Sequence, residues 1–247
     1  MIRALILDVG GTLIWGNGQH FEKANAWRAA LLLRERGFIQ DAPALADRLV
    51  SLRRHSPKEG GNWAQTGTTR QYLQQALTEH GIDVSPELLD WLEREYVRPE
   101  AEGAVSIPGM PQLVRSLAGK VRLGVASNTR SHELTTQIIA RLGLATLMDP
   151  LVTSVSAGYR KPSPNIFGEV LSKWEVEPHE VVMIGDSRRK DVAGAQKLGM
   201  KAVWFKAELT VSGGRDAETL TEEVRPDGIA TDAESLYGVL QDLGLSH

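Results

Sequence analysis

The chain has 247 residues, 42% hydrophobic and 24% charged, a composition that suits one large domain or a core carrying a smaller module. Its net charge of −3 and pI near 6.1 leave no basic surplus for gripping a nucleic-acid backbone. It has no cysteine, which excludes a disulfide framework, a thiolate nucleophile and thiolate-bound zinc.

The apolar run Ala4–Leu7 reads as a buried strand that runs straight into Asp8-Val9-Gly10-Gly11. The apolar start, Ile2–Leu7, is too short for a signal h-region, and no segment offers 18 uninterrupted apolar residues. No membrane contact is therefore expected, and the cytoplasm is the expected compartment. From about Ile14 to Ser106 the texture is helical. Ala24, Trp27 and Leu31 share one face, as do Leu73, Ala76, Leu77 and His80. Ser56–Thr69 reads as a loop, and Ser85-Pro86 as an N-cap followed by proline at the first helical position.

After Pro108-Gly109, short apolar runs return at Val121–Ala126, Val181–Ile184 and Ala202–Phe205, with helical patterns between them. Ser163-Pro164 opens a helix, Ala207–Pro226 reads as a surface excursion before a short Gly228–Ala230 strand, and Asp232–Leu243 closes the chain. Strands alternating with helices predict an α/β fold, a parallel sheet covered on both faces. The expected division is a core of residues 1–14 and 107–247 with an all-helical cap, 15–106, inserted after the first strand.

Polar residues follow these strands at the ends where a parallel sheet binds its ligands. Asp8 ends the first strand, Ser127-Asn128 the second, and Asp186 follows Val181–Ile184, with Asp191 five residues on; Lys161 sits in a Tyr-Arg-Lys-Pro turn. Asp8 and Asp186 side by side would repel unless a cation lay between them, and carboxylate and carbonyl oxygens suit Mg²⁺. A carboxylate such as Asp8 can attack phosphorus. Lys161 and the Ser127 hydroxyl can bind the equatorial oxygens of a transferring phosphoryl group. Thr12 is assigned to its Gly-Gly-Thr-Leu turn and, with Asn128, to the substrate-binding set.

Together, Asp-Val-Gly-Gly-Thr-Leu, Ala-Ser-Asn, Arg-Lys-Pro and Gly-Asp-Ser-x4-Asp resemble, in that order, the four motifs of the haloacid dehalogenase-like (HAD) hydrolase superfamily. The inserted helical block resembles the cap of its subfamily I. The resemblance implies a Rossmann-like core, Asp8 as phosphate acceptor, Asp186 as a ligand of Mg²⁺, and Ser127 and Lys161 as phosphate binders. Asp191 would lie behind the metal, ligate it, or orient Lys161. The implied substrate is a small phosphorylated metabolite.

One position departs from that pattern. Phosphatases of the family usually carry a second Asp two residues after the nucleophile, as general acid and base, and here that residue is Gly10. Its backbone carbonyl would still serve the metal, while proton transfer would suffer. His55, Lys58 and Asn62 are the candidates in kind for a replacement acid. Two other functions compete: carbon–halogen hydrolysis by Asp8, which needs no leaving-group acid, and a binding module that has lost turnover. Arg188-Arg189-Lys190 reads as a solvated loop, and the six tryptophans as packing residues. Oligomeric state is not legible in the chain.

Overall fold

The structure is a computed structural model that describes residues 1–16, 18–57, 67–207 and 224–245. In chain order, β1 (Ala4–Leu7) is followed by four helices among the described residues: α1 (Glu22–Glu35), α2 (Ala42–His55), α3 (Thr69–Glu79) and α4 (Pro86–Glu102). Then come α5 (Met110–Leu117), β2 (Arg122–Ser127), α6 (His132–Arg141), β3 (Leu151–Thr153), α7 (Ser154–Ala157) and α8 (Pro164–Leu171). The chain closes with β4 (Val181–Gly185), α9 (Ala193–Gln196), β5 (Lys201–Phe205), β6 (Gly228–Ala230) and α10 (Ala233–Asp242). It divides into two compact units. The first is Met1–Gly16, Val105–Asn128 and Ile139–His247; the second is Asn17–Ala104 with Thr129–Ile138.

The first unit is the α/β sandwich that strand–helix alternation predicts. Its six strands run parallel in the order β3-β2-β1-β4-β5-β6. The chain builds outward from β1 through β2 to β3, then returns to lay β4 on the other side of β1. That return makes the carboxyl end of β1 a topological switch point, where open parallel sheets form their binding crevice. Burial is nearly complete along β1 and β4, as expected of strands covered on both faces. On one face Ala4, Ile6, Val181, Met183 and Ala202 pack with Ile166, Phe167 and Val170 of α8 and Ala195 of α9. Caps stand where the sequence signals them: Ser163 accepts from Asn165 N at the start of α8, and Asp232 from Ser235 N at the start of α10.

The second unit has its own apolar core, built from Leu33, Leu45, Leu49, Tyr72, Leu73, Leu77, Leu92 and Tyr96 with a set of alanines. The rings of Tyr72 and Tyr96 meet edge to face at 5.6 Å. Ser85 caps α4 by accepting from Leu88 N, and Leu73, Ala76 and Leu77 are buried as their spacing predicts. The face of α1 is a correction. Ala26, Ala29, Ala30 and Leu33 are buried, whereas Ala24 and Trp27 are exposed. Bulk misled the pattern: the small residues are what admit α1 close to α2 and α4, leaving the large ring of Trp27 outside.

β3 is not legible in the sequence. Three residues bounded by Pro150 give too short an apolar run to register as a strand, although Val125, Ala126 and Ser127 pair with it. Most of the expected excursion at Ala207–Pro226, and Lys58, Asn62 and Trp63, lie outside the described residues.

Gly124 of β2 sets how closely Trp174 covers the sheet. A methyl there would lie 2.8 Å from the Trp174 ring and 3.0 Å from the Pro150 carbonyl, and Trp174 is further fixed by its indole N–H donating to Asp149 O at 2.9 Å. Gly124→Ala is expected to destabilise the fold by about 1–3 kcal/mol. It should lower the urea midpoint at unchanged slope; an unaltered midpoint would show that the ring has room to move.

Candidate active site

Strand register assembles the site. Leu7 pairs with Val125 on one side and Ile184 on the other, so one or two further residues of each strand bring Asp8, Ser127 and Asp186 to the same edge of the sheet. Asp8 is 9% exposed and Ser127 5%, so both sit at the floor of that edge.

Lys161 is the hub. Only 3% exposed, its Nζ donates to Ala126 O at 2.7 Å and forms ion pairs with Asp8 Oδ1 at 2.9 Å and Asp191 Oδ1 at 2.6 Å. An ammonium has three N–H groups, and three oxygens meet it. Burial alone would push the Lys161 ammonium down; Asp191 and Asp8 together hold it above its ordinary value. Burial likewise raises the Asp191 carboxyl, against the pull of Lys161. A phosphoryl oxygen reaching Lys161 would have to share one of these N–H groups.

Asn128, read from the sequence as a substrate contact, is engaged otherwise. Its Oδ1 accepts from Lys161 N at 2.8 Å and its Nδ2 donates to Lys161 O at 3.0 Å, a two-bond clamp on the lysine backbone. The end of β2 thus holds Lys161 three times, twice through Asn128 and once through Ala126 O. Nothing in the sequence pairs positions 33 residues apart, so this clamp is legible only in three dimensions.

Asp191 lies inside a single π turn, Arg188–Val192, capped by Ser187 accepting from Lys190 N. Such turns recur at functional sites. Here the turn directs Asp191 back onto the sheet, where its Oδ2 accepts from Ser187 N at 3.0 Å. With one oxygen on Lys161 and the other on Ser187, Asp191 is the partner of the lysine rather than an open ligand. Asp186 packs against Gly11, where a Cβ would come within 2.2 Å of its Oδ2 and φ is +82°, so only glycine fits.

Asp8, Asp186 and Asp191 each present an oxygen within 4.8 Å of the others. Three carboxylates against the one ammonium of Lys161 leave a formal charge of about −2 in a largely buried space, a donor set that fits a small divalent cation. Asp8 and Asp186, with the Gly10 carbonyl, are the residues that would hold it.

Two assignments fare differently. Thr12 is fully buried and its hydroxyl has no hydrogen-bond partner among the described residues, so it does not fix its turn as expected. The backbone does that instead, with the N–H groups of Thr12, Leu13 and Ile14 all donating to Val9 O. Around Gly10, none of the described residues lies within 4 Å of where a Cβ would stand. Of the candidate replacement acids, His55 is exposed at the end of α2 in the second unit with a ring nitrogen bonded to Ser51 O.

With this geometry in view, the family model for haloacid dehalogenase-like hydrolases matches residues 2–199. The chain belongs to that family. It is 41% identical over 68 residues to a glyceraldehyde 3-phosphate phosphatase of Pyrococcus furiosus, covering 28% of each chain. Two more relatives of that name are spanned over only 39% and 42% of their length. Over almost the full length, 98% of this chain and 99% of the relative, it is 28% identical to the glyceraldehyde 3-phosphate phosphatase of Methanopyrus kandleri. A solved 2-haloacid dehalogenase of Pseudomonas syringae superposes with a TM-score of 0.71 at 22% identity, over 98% and 99% of the two chains, which speaks for the fold. This chain's four motif positions converge on the carboxyl edge of the parallel sheet, where open parallel sheets bind their ligands.

The packing makes two neighbouring glycines behave oppositely. A Cβ on Gly185 would lie 2.3 Å from the Asp191 carboxylate, whereas one on Gly10 touches nothing. Gly185→Ala should displace Asp191 from Lys161, lowering turnover at least about tenfold and stability by about 1–3 kcal/mol, while Gly10→Ala leaves stability within about 0.5 kcal/mol of the parent. Parallel thermal melts and turnover on an aryl phosphate check this; equal effects of the two substitutions would contradict it.

Proposed function

We propose that this enzyme is an Mg²⁺-dependent phosphatase or phosphotransferase of small phosphorylated metabolites, working through a covalent phosphate on Asp8. The observation that carries the reading is the gathering of Asp8, Asp186 and Asp191 within 4.8 Å of one another, with Asp8 and Asp191 paired to a single buried lysine, a charge balance suited to a divalent cation. The phosphatase names of the relatives support it. In this account the core is residues 1–14 and 107–247, and 15–106 form the cap.

Asp8 Oδ1 is committed to Lys161, which leaves Oδ2 to attack phosphorus. When bound, the cation held by Asp8, Asp186 and the Gly10 carbonyl supplies charge stabilisation for the phosphoryl oxygens. Ser127 and Lys161 bind those oxygens where transition-state charge spreads. Asp191 keeps Lys161 charged and pointed at Asp8, and Asn128 fixes the lysine backbone. The P–O bond to the leaving group then breaks, and water hydrolyses the aspartyl-phosphate.

Gly10 shapes what this site does well. With no carboxyl there, neither leaving-group protonation nor activation of the hydrolytic water has its usual source. General acid catalysis contributes roughly 10²–10⁴-fold, or about 3–5 kcal/mol of barrier. A sugar alkoxide needs that proton badly; a carboxylate, with pKa around 4, hardly does, and a phenolate near 10 lies between. The relatives' names point to an alkyl phosphate and Gly10 points away from one. Gly10 carries more weight, because it is a residue of this chain.

The test is phosphate release with and without Mg²⁺ on acyl, aryl and alkyl phosphates for the parent, Asp8→Asn and Gly10→Asp. The expected ranking is acyl over aryl over alkyl, abolished by Asp8→Asn and by removal of Mg²⁺. Gly10→Asp, at a position where an added Cβ meets none of the described residues, should raise alkyl turnover by roughly 10²-fold or more and acyl turnover least. Equal rates across the panel would refute the role given to Gly10. Chloride release from 2-haloacids without Mg²⁺ would replace the phosphatase reading altogether.

A further inference from the structure

Trp204 stands in β5 beside the strand that delivers Asp186, and the motifs leave it unexplained. Its register partner is Gly185, the residue immediately before Asp186. The ring is half-buried and packs on the core cluster formed by β1, β4, α8 and α9. Packing alone would be served by phenylalanine or leucine. The indole does two further things. Its Nε1–H donates to the Asp186 backbone carbonyl at 3.0 Å. Its face also receives the Arg188 guanidinium, 5.3 Å from the ring centroid, and Arg188 is itself anchored by Nη2 donating to Val224 O at 2.7 Å.

One side chain therefore holds the loop Asp186–Arg188 at both ends, by a hydrogen bond at the first residue and a cation–π contact at the third. The loop carries Asp186, one of the three carboxylates of the cluster. We propose that Trp204 is a positioning residue for Asp186, setting the backbone of this loop so that the carboxylate meets a divalent cation without first having to be ordered. The inference rests on the Mg²⁺ reading above. It also gives a role to Arg188: the cation serves as the second point of attachment and is not simply part of a solvated loop.

Ligand-orienting groups of this kind are worth roughly 10–100-fold in metal affinity. The experiment is calorimetric titration of Mg²⁺ into the metal-free full-length protein, for the parent, Trp204→Phe and Arg188→Gln. Trp204→Phe keeps an aromatic ring and removes the N–H; Arg188→Gln keeps the N–H and removes the cation. The expected result is an Mg²⁺ Kd raised about tenfold by Trp204→Phe and about two- to fivefold by Arg188→Gln. Turnover at saturating Mg²⁺ should return to within about threefold of the parent, because the loop is ordered once the ion is bound. If the parent binds Mg²⁺ and both variants bind it within twofold of the parent, the proposal is overturned, whatever happens to their melting temperatures. Arg188→Gln keeps the test open should Trp204→Phe fold poorly. A parent that does not bind Mg²⁺ would bring down the metal reading itself, and this inference with it.

Discussion

A buried ammonium needs its charge answered, and the α/β unit is organised around meeting that need at Lys161. Three oxygens within 2.9 Å come from three places in the chain: the end of β1, the end of β2 and the π turn after β4. Removing one partner of a buried ion pair typically costs about 3–5 kcal/mol, so the arrangement ties the integrity of this sheet edge to the chemistry it carries. The surrounding features follow. Gly185 has no side chain because Asp191 occupies its place; the π turn exists where Asp191 must point back at the sheet; Asn128 clamps the lysine backbone because a long side chain aims true only from a fixed root.

Under the proposed function the site separates two tasks. In the proposed reaction, neutralising and holding a phosphoryl group would depend on Asp8, Asp186 and Lys161. Supplying and removing a proton depends on position 10, where the structure offers room but no group. An enzyme so equipped retains electrostatic stabilisation, often the largest single contribution, and gives up a smaller one whose value depends on the leaving group. Under the proposed function, Gly10 is a determinant of substrate class rather than a lesion.

How much of this the sequence displayed depended on the range of the signal. Short apolar runs ending at Asp8, Ser127 and Asp186 are local, and they sufficed for the parallel sheet and for the edge where the site lies. The four motifs at those ends brought the family into view. Three features escaped because their causes are not local. Asn128 faces Lys161 only after β2 and the loop before α8 are side by side. β3 is a strand because β2 offers it a ladder, not because three residues demand it. Trp27 looked like a core residue by size, but close helix packing favoured the alanines beside it. Thr12 shows the converse: a hydroxyl in a tight turn suggested a hydrogen bond that backbone carbonyl Val9 O had already made unnecessary.

The central claim is that Asp8 takes the phosphoryl group, and it is tested most directly by catching it there. The enzyme would be mixed with acetyl phosphate and Mg²⁺, quenched in acid within the first turnovers, digested and mapped by mass spectrometry. The account predicts one phosphoryl group on the peptide containing Asp8, accumulating early because position 10 offers no base for its hydrolysis, and absent after Asp8→Asn. Sustained phosphate release with no covalent phosphate on that peptide, or with the label on another residue, would contradict it.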